Sequence, residues 1–347
     1  MIYDFDGFED YATAGIDREH LRTGGDLAVV SGGRNGGNRL RCSNNGFGAR
    51  VIAAAPATVA IGAYLEVASL ATVVYLFDFR DASRSHLTVR VNVDGSVTVM
   101  RSLTNGDFAY DGAFGYGGYL PTVLGSSAAG TVSAGTPFQI QVKVAIDNAT
   151  GAVEVRVNGV AVLTLTNQDT QNAGSATVTH ILYGGAGATG YVYVDDLWLA
   201  DDFLGDRRVD SHFPTSDGTN QDGTPSSAGD HFAMVDEASP DDDATYVTLA
   251  AADDRESYGV EAFKNTGASI DAVMVVLDAK KTDAGAANLG ASVRAGAADY
   301  DGASQGLTTA YARLKEVYAT DPASGSPGTV WDEAAFNAAE FGAVKVL

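Results

Sequence analysis

One cysteine, eight prolines and two tryptophans in 347 residues leave this chain almost no covalent cross-linking and few rigid turns. A single thiol, Cys42, excludes an internal disulfide framework. Its flank NRLRCSNN offers no second Cys or His at metal-ligand spacing, so it is read as a packed thiol. Basic residues are scarce as well. Lys plus Arg number 22 against 44 Asp plus Glu, a formal charge of −22. Such a surface repels phosphate backbones and anionic lipid, which excludes nucleic acid and membrane insertion as expected partners. The surplus acid is read as a solvated surface in preference to a cation store. No apolar run approaches the length of a membrane span. The opening MIYDFDGFEDY has neither a basic n-region nor an apolar h-region, so no signal peptide is expected and the chain reads as made in a cytosol.

What is abundant is glycine, 41 residues, which with so little proline points to tight turns between short strands. The length suits two domains, each able to bury its own core. From Asp26 to Ala200 the dominant pattern has period two. In HLTVRVNV, Leu87, Val89, Val91 and Val93 face one way and Thr88, Arg90 and Asn92 the other, as in a half-buried strand. Asp94-Gly95 then turns the chain into SVTVMRSL. Phe138, Ile140, Val142, Val144 and Ile146 alternate with Gln139, Gln141, Lys143 and Ala145. Asn158-Gly159 marks a second hairpin, and further strands are expected at Ala176 to Tyr183 and Tyr191 to Ala200. With no helical stripe between them, these strands predict an antiparallel β-sandwich of the jelly-roll type, about a dozen strands.

Residues 203–230 are rich in Asp, Ser, Thr and Gly and too poor in apolar positions for a buried strand, so they read as a connector. Apolar pattern returns in HFAMV, TYVTL, SYGVEAFK and IDAVMVVLDA, the last long enough for a central strand. Leu307 to Thr320 fits a helix through Tyr311, Leu314 and Val317, or a strand through Leu314, Glu316 and Tyr318. Asp332 is a candidate N-cap for a short helix from Glu333 to Glu340, with Gly342 as its stop. The predicted organisation is a mainly β protein. A jelly roll spans 1–202, a connector 203–230, and a smaller β-rich domain with one short C-terminal helix 231–347.

Chemistry-bearing motifs are weak. Gly185-Ala186-Gly187-Ala188-Thr189-Gly190 has dinucleotide-loop spacing but is followed by a strand, so a turn is the better reading. The E-x-D-x-x-E strand signature of jelly-roll glycosidases is missing. Asp195 and Asp196 are adjacent, and in a regular strand would point to opposite faces. The run Asp241-Asp242-Asp243 lacks the spaced acids of a calcium loop and reads as a solvated turn. His20, His86, His180, His212 and His231 form no i, i+4 pair. No catalytic, cofactor or metal residue is expected, and the chain is read as non-enzymatic. The loop GDFAYDGAFGYGGY sets Phe108, Tyr110, Phe114, Tyr116 and Tyr119 among glycines. These are the expected contacts for a partner protein or a glycan, a partner protein being favoured.

The opening DFDGFEDY, the long antiparallel strands, the Asn-Gly hairpin and the closing YVYVDDLWL together resemble a concanavalin-A/laminin-G-like jelly roll over residues 1–200. Downstream, FLGDRRVDSHFPTSDGT, HFAMVDEASPDDDATYV, SYGVEAF and DPASGSPGTVWDEAAFNAAEFGAVKV follow in an order similar to that of tailed-bacteriophage structural proteins. That resemblance implies a non-enzymatic virion component, a tail-tip or fibre-associated protein. Its partners would be other virion proteins and copies of itself, and its location the particle. The alternative is a glycan-binding adhesin or a capsid decoration protein on the same scaffold.

Overall fold

The computed structural model describes residues 1–19, 22–34, 36–82, 84–102, 121–172, 174–185, 190–325 and 328–347. The chain is mainly β and divides into two compact units, Met1–Val209 and Asp210–Leu347.

In the first unit the described strands are β1 (Ile2–Asp6), β2 (Arg22–Ser31), β3 (Asn38–Val51), β4 (Thr58–Val67), β5 (Val74–Arg80), β6 (Ser85–Val91), β7 (Val97–Arg101), β8 (Thr122–Ser126), β9 (Phe138–Ala145), β10 (Gly151–Val157), β11 (Val160–Gln168), β12 (His180–Gly184) and β13 (Tyr191–Ala200). A one-turn helix, α1 (Ile16–Glu19), lies between β1 and β2. All pairings are antiparallel. They run β11-β10-β9-β4-β13-β3-β12-β5-β6-β7-β8, with β1 on β13 and β2 along β3. The long strand β3 joins the halves: Leu40 to Ser43 pair with β13, and Phe47 to Val51 pair with β12. One apolar core lies between them, with Ile61, Val142, Val155 and Val194 from one half and Phe77, Phe79, Val89 and Val99 from the other. Period-two alternation makes this possible, because every second residue of each strand points to that core.

The expected hairpins form at Asp94-Gly95 and Asn158-Gly159. Asn158 and Gly159 both adopt positive φ, 49° and 78°, as a two-residue β-turn of matching twist demands. Gly62 is needed for space. Trp198 packs against it, and a Cβ there would collide with the indole ring. The expected strand at 176–183 is shorter, starting at His180. Cys42 is fully buried, which pushes its thiol up to about 12 and leaves it a packing residue.

The second unit contains β14 (Pro214–Gln221), β15 (Thr224–Pro225), β16 (Val247–Thr248), β17 (Arg255–Val260), β18 (Val273–Ala279), β19 (Asn288–Ala295), β20 (Ala298–Asp301), β21 (Gln305–Gly306), β22 (Ala312–Tyr318), α2 (Glu333–Ala338) and β23 (Glu340–Lys345). Its main sheet runs β14-β17-β23-β19-β20. The segment expected as a connector therefore supplies β14. Its residues have no apolar stripe, because its contribution is backbone pairing with β17 at an edge. The run IDAVMVVLDA is not a central strand but half of a two-stranded ribbon, β18 with β22, and this pairing resolves the ambiguous 307–320 segment as strand. Asp332 caps α2 by accepting the Ala335 amide at 2.7 Å. The helix ends earlier than expected, at Ala338, and Gly342 lies inside β23. Trp331, Phe336, Phe341 and Val293 centre the core of this unit.

Candidate functional site

The expected contact residues Phe108, Tyr110, Phe114, Tyr116 and Tyr119 lie outside the described residues. The structure brings a different set together, on the outer face of the sheet where β3, β13 and β4 run side by side. Register places Arg41 and Glu66 opposite Tyr193, and Tyr64 opposite Asp195. Because β-strand side chains alternate, the outward residues of three neighbouring strands form one surface.

On that surface arginines and tyrosines interleave. The Arg39 guanidinium stacks 3.6 Å from the Tyr193 ring centre, and Arg41 lies 5.3 Å from that of Tyr191. The two tyrosine rings are 6.1 Å apart. Arg39 also bonds Glu66 at 2.7 Å, and Arg34 sits 4.7 Å over Tyr64. Tyr191 is 44% exposed, whereas Arg39 and Glu66 are partly covered. Gly32, Arg34, Arg39, Tyr64, Glu66, Tyr193 and Asp195 line a shallow cleft of only about 10 Å³, room for little more than one water molecule. That is below the usual size of a small-molecule pocket, so it suits one face of an extended ligand better than an engulfed one.

Beside the cleft lies an acidic cluster that alternation alone would not assemble. At the register shift in β13 Asp196 takes positive φ, 48°, and Asp195 and Asp196 both turn to Arg34 instead of opposite faces. Asp195 Oδ2 accepts the Arg34 amide at 2.6 Å, and Asp196 Oδ2 lies 3.4 Å from Arg34 Nη1. The expectation that these two acids are separated is corrected by that bulge. Arg34 further forks onto Asp206 at 2.6 and 2.7 Å. Burial, then the Asp196 charge, raises Asp195 to about 7. Glu9 packs between Gly7 and Gly37, and its Oε2 is buried with no hydrogen-bond partner. Burial first, then Asp195, Asp6, Asp196 and Asp10, pushes it up to about 9. Among the described residues no group of three or more His, Cys, Asp or Glu side chains is arranged to hold a metal ion.

A pH prediction follows from Glu9. Its carboxyl holds a proton in the folded state up to pH about 9, but in the unfolded chain only to pH 4.5. Between these values the folded state binds more protons than the unfolded one, so this contribution to stability is complete at low pH and is lost as pH rises through the window. Asp195 adds the same sign between its ordinary value of 3.8 and about 7. Glu9→Gln should therefore match the parent at pH 5 and exceed it at pH 9. Allowing for the partial exposure of the side chain, the gain is about 2 kcal/mol. Denaturant midpoints of both proteins at pH 5, 7 and 9 measure this, and a constant difference across the series would refute it.

The remaining expected positions are local structure. His86 is buried against the Thr177 carbonyl, His212 stacks on Phe263 and meets Phe336 edge-on, and His231 bonds Glu256. Asp241 accepts from Thr245, and Asp243 pairs with Lys280. YVY lies in an expected strand, and RLR and YLE lie within the stretch read as having period two. Their convergence on one surface depends on which strands pair, which no local spacing reveals.

No protein-family profile and no curated protein matches the sequence. Similar solved structures include an alginate lyase from a Chlorella virus, at 9% identity and a TM-score of 0.36, covering 49% of this chain and 88% of that one. An alginate lyase from Aplysia kurodai aligns at 10% identity and a TM-score of 0.35, over 50% of this chain and 86% of its own. The galectin LEC-6 of Caenorhabditis elegans does so at 11% identity and a TM-score of 0.30, over 44% and 89%. At these values the likenesses transfer no residue role and no substrate. The three named are two lyases and a galectin and not virion structural proteins, and the expected assignment as a non-enzymatic virion structural protein of a bacteriophage tail is withdrawn. The expectation that the chain is not an enzyme is withdrawn with it. The fragments that carried the virion reading have local work instead. Asp206 holds Arg34, Asp321 caps the turn at Pro322–Ser324, and Trp331 and Phe341 fill a core.

Proposed function

We propose that the N-terminal unit is a glycan-binding module whose contact surface is the Arg–Tyr face of β3, β13 and β4. The observation that carries this reading is the interleaved set Arg41, Tyr191, Arg39 and Tyr193 with Glu66 beside it, of which Arg39, Tyr193 and Glu66 line the shallow cleft. Sugar rings present apolar C–H faces and hydroxyl edges. Tyrosine rings stack on the former, while guanidinium forks donate to, and a carboxylate accepts from, the latter. A shallow cleft matches a polysaccharide chain lying along the sheet.

The test is a glycan array followed by titration calorimetry on the polysaccharide retained. Tyr193→Ala and Tyr191→Ala should each weaken binding about tenfold, roughly 1.4 kcal/mol. Tyr110→Ala and Tyr116→Ala form the second arm, because the aromatic loop at 106–119 is the other proposed contact. A blank array, or binding indifferent to all four changes, would sink the proposal.

A further inference from the structure

The chain does not leave the sandwich at the end of β13. Residues 202–206 cross the outer face of β9, β10 and β4, beside the Arg–Tyr cleft, and each has a seat there. The Asp202 carboxylate bonds Lys143 at 2.9 Å. The Phe203 ring lies 4.0 Å beneath Arg156, which also bonds Glu154 at 2.6 Å. Leu204 packs with Trp198, Ala60 and Ala200. The Gly205 amide donates to Gln141 Oε1 at 3.0 Å, and its carbonyl accepts from Gln139 Nε2 at 3.4 Å. Asp206 forks onto Arg34.

The floor under this strap is built of polar groups. Gln139 and Gln141 are only 6% and 1% exposed, although glutamine is ordinarily a surface residue. Lys143, Arg156 and Arg34 stand around them, three of the 22 basic residues of a chain carrying −22. In such a protein a site for an anion has to gather its cations locally.

The strap thus sets carboxylates at its two ends on Lys143 and Arg34, with an amide on a pair of glutamines between them. We propose that residues 202–206 are a resident occupant of a second carbohydrate groove, holding the place of an acidic, uronate-bearing oligosaccharide that displaces them. This rests on the glycan-binding reading above and names the ligand class. Carboxylates of the sugar take the Lys143 and Arg34 seats, and its hydroxyls take the glutamine amides. Because the strap is tethered to its groove, its high effective concentration keeps the groove closed until ligand is abundant.

The experiment uses the full chain, with oligogalacturonate as the acidic probe and a neutral β-glucan oligomer as control. Asp202→Asn with Asp206→Asn should tighten oligogalacturonate binding at least fivefold without tightening the glucan. Adding Lys143→Met should abolish that gain. In the parent protein, hydrogen exchange at the Gly205 amide should accelerate when oligogalacturonate is bound. Unchanged affinity in the double variant, with Gly205 still protected while Tyr193-dependent glycan binding persists, would overturn the strap and leave the glycan-binding reading intact. Failure of every protein to bind oligogalacturonate would overturn the strap proposal alone, the glycan-binding reading falling only with a blank array or with binding indifferent to the four changes above. Melting curves of each variant identify any loss caused by misfolding, and Lys143→Met alone, which leaves Asp202 and Asp206 in place, repeats the test on the native strap: it should weaken whatever acidic binding the parent shows.

Discussion

Trp331→Ala is expected to destabilise the second unit by about 3–5 kcal/mol, the usual range for removing a large buried aromatic. Trp331 is 1% exposed and precedes the N-cap of α2. Its ring lies 6.3 Å from that of Phe341, its backbone forms an isolated bridge with Ile270, and its Nε1 donates to the Tyr318 carbonyl at 2.9 Å. The substitution therefore opens a cavity in the core and orphans a carbonyl at the end of β22. A unit of 138 residues has few alternative ways to close such a cavity. Trp331→Phe keeps ring volume but not the donor, and should recover more than half the loss. Hydrogen exchange of β19 amides reads the effect within this unit. Protection unchanged by Trp331→Ala would show that the indole is not central to the core.

Arg50→Met should cost the first unit a similar amount, about 3–5 kcal/mol, for an electrostatic reason. Arg50 and Asp6 are 3% and 4% exposed and directly paired, and Arg50 Nε lies 3.5 Å from Asp4. Asp6 also accepts the Phe8 amide at 2.7 Å and the Tyr11 hydroxyl at 2.8 Å. Removing the guanidinium leaves a carboxylate buried beside Glu9, which already lacks a partner at Oε2. Asp6→Asn in the Arg50→Met background should restore much of the loss, since a neutral amide tolerates that site better than an uncompensated charge. A double-mutant cycle by denaturant unfolding gives the coupling directly. Strict additivity of the two changes would contradict this account.

Where one face of a strand is buried, period two is written into the residues. The spans of β6, β7, β9 and β13 and the turns at Asp94-Gly95 and Asn158-Gly159 were readable for that reason. The Asp332 cap was readable because a side chain bonding three residues onward is a local event. The edge strand β14 was not, as its polar residues contribute only backbone pairing. The Asp195–Asp196 pair was misjudged because a single positive φ at Asp196 cancels the alternation rule. Likewise, ordered fragments in the second unit suggested a place on a particle, whereas in the structure they are caps, pairs and core residues of a small β domain.

By itself, then, the sequence determined the β class, the acidic and cross-link-free character of the chain, and which residues of each regular strand face inward. Those properties depend on composition and on neighbours within a few positions. The tertiary structure alone decided that Arg39, Arg41, Tyr191, Tyr193 and Glu66 share one surface, that Glu9 meets Asp195, and that residues 202–206 lie on Gln139 and Gln141. Each of these joins strands or loops far apart in the chain, and strand order is set by the total burial of the sandwich, which no single segment encodes.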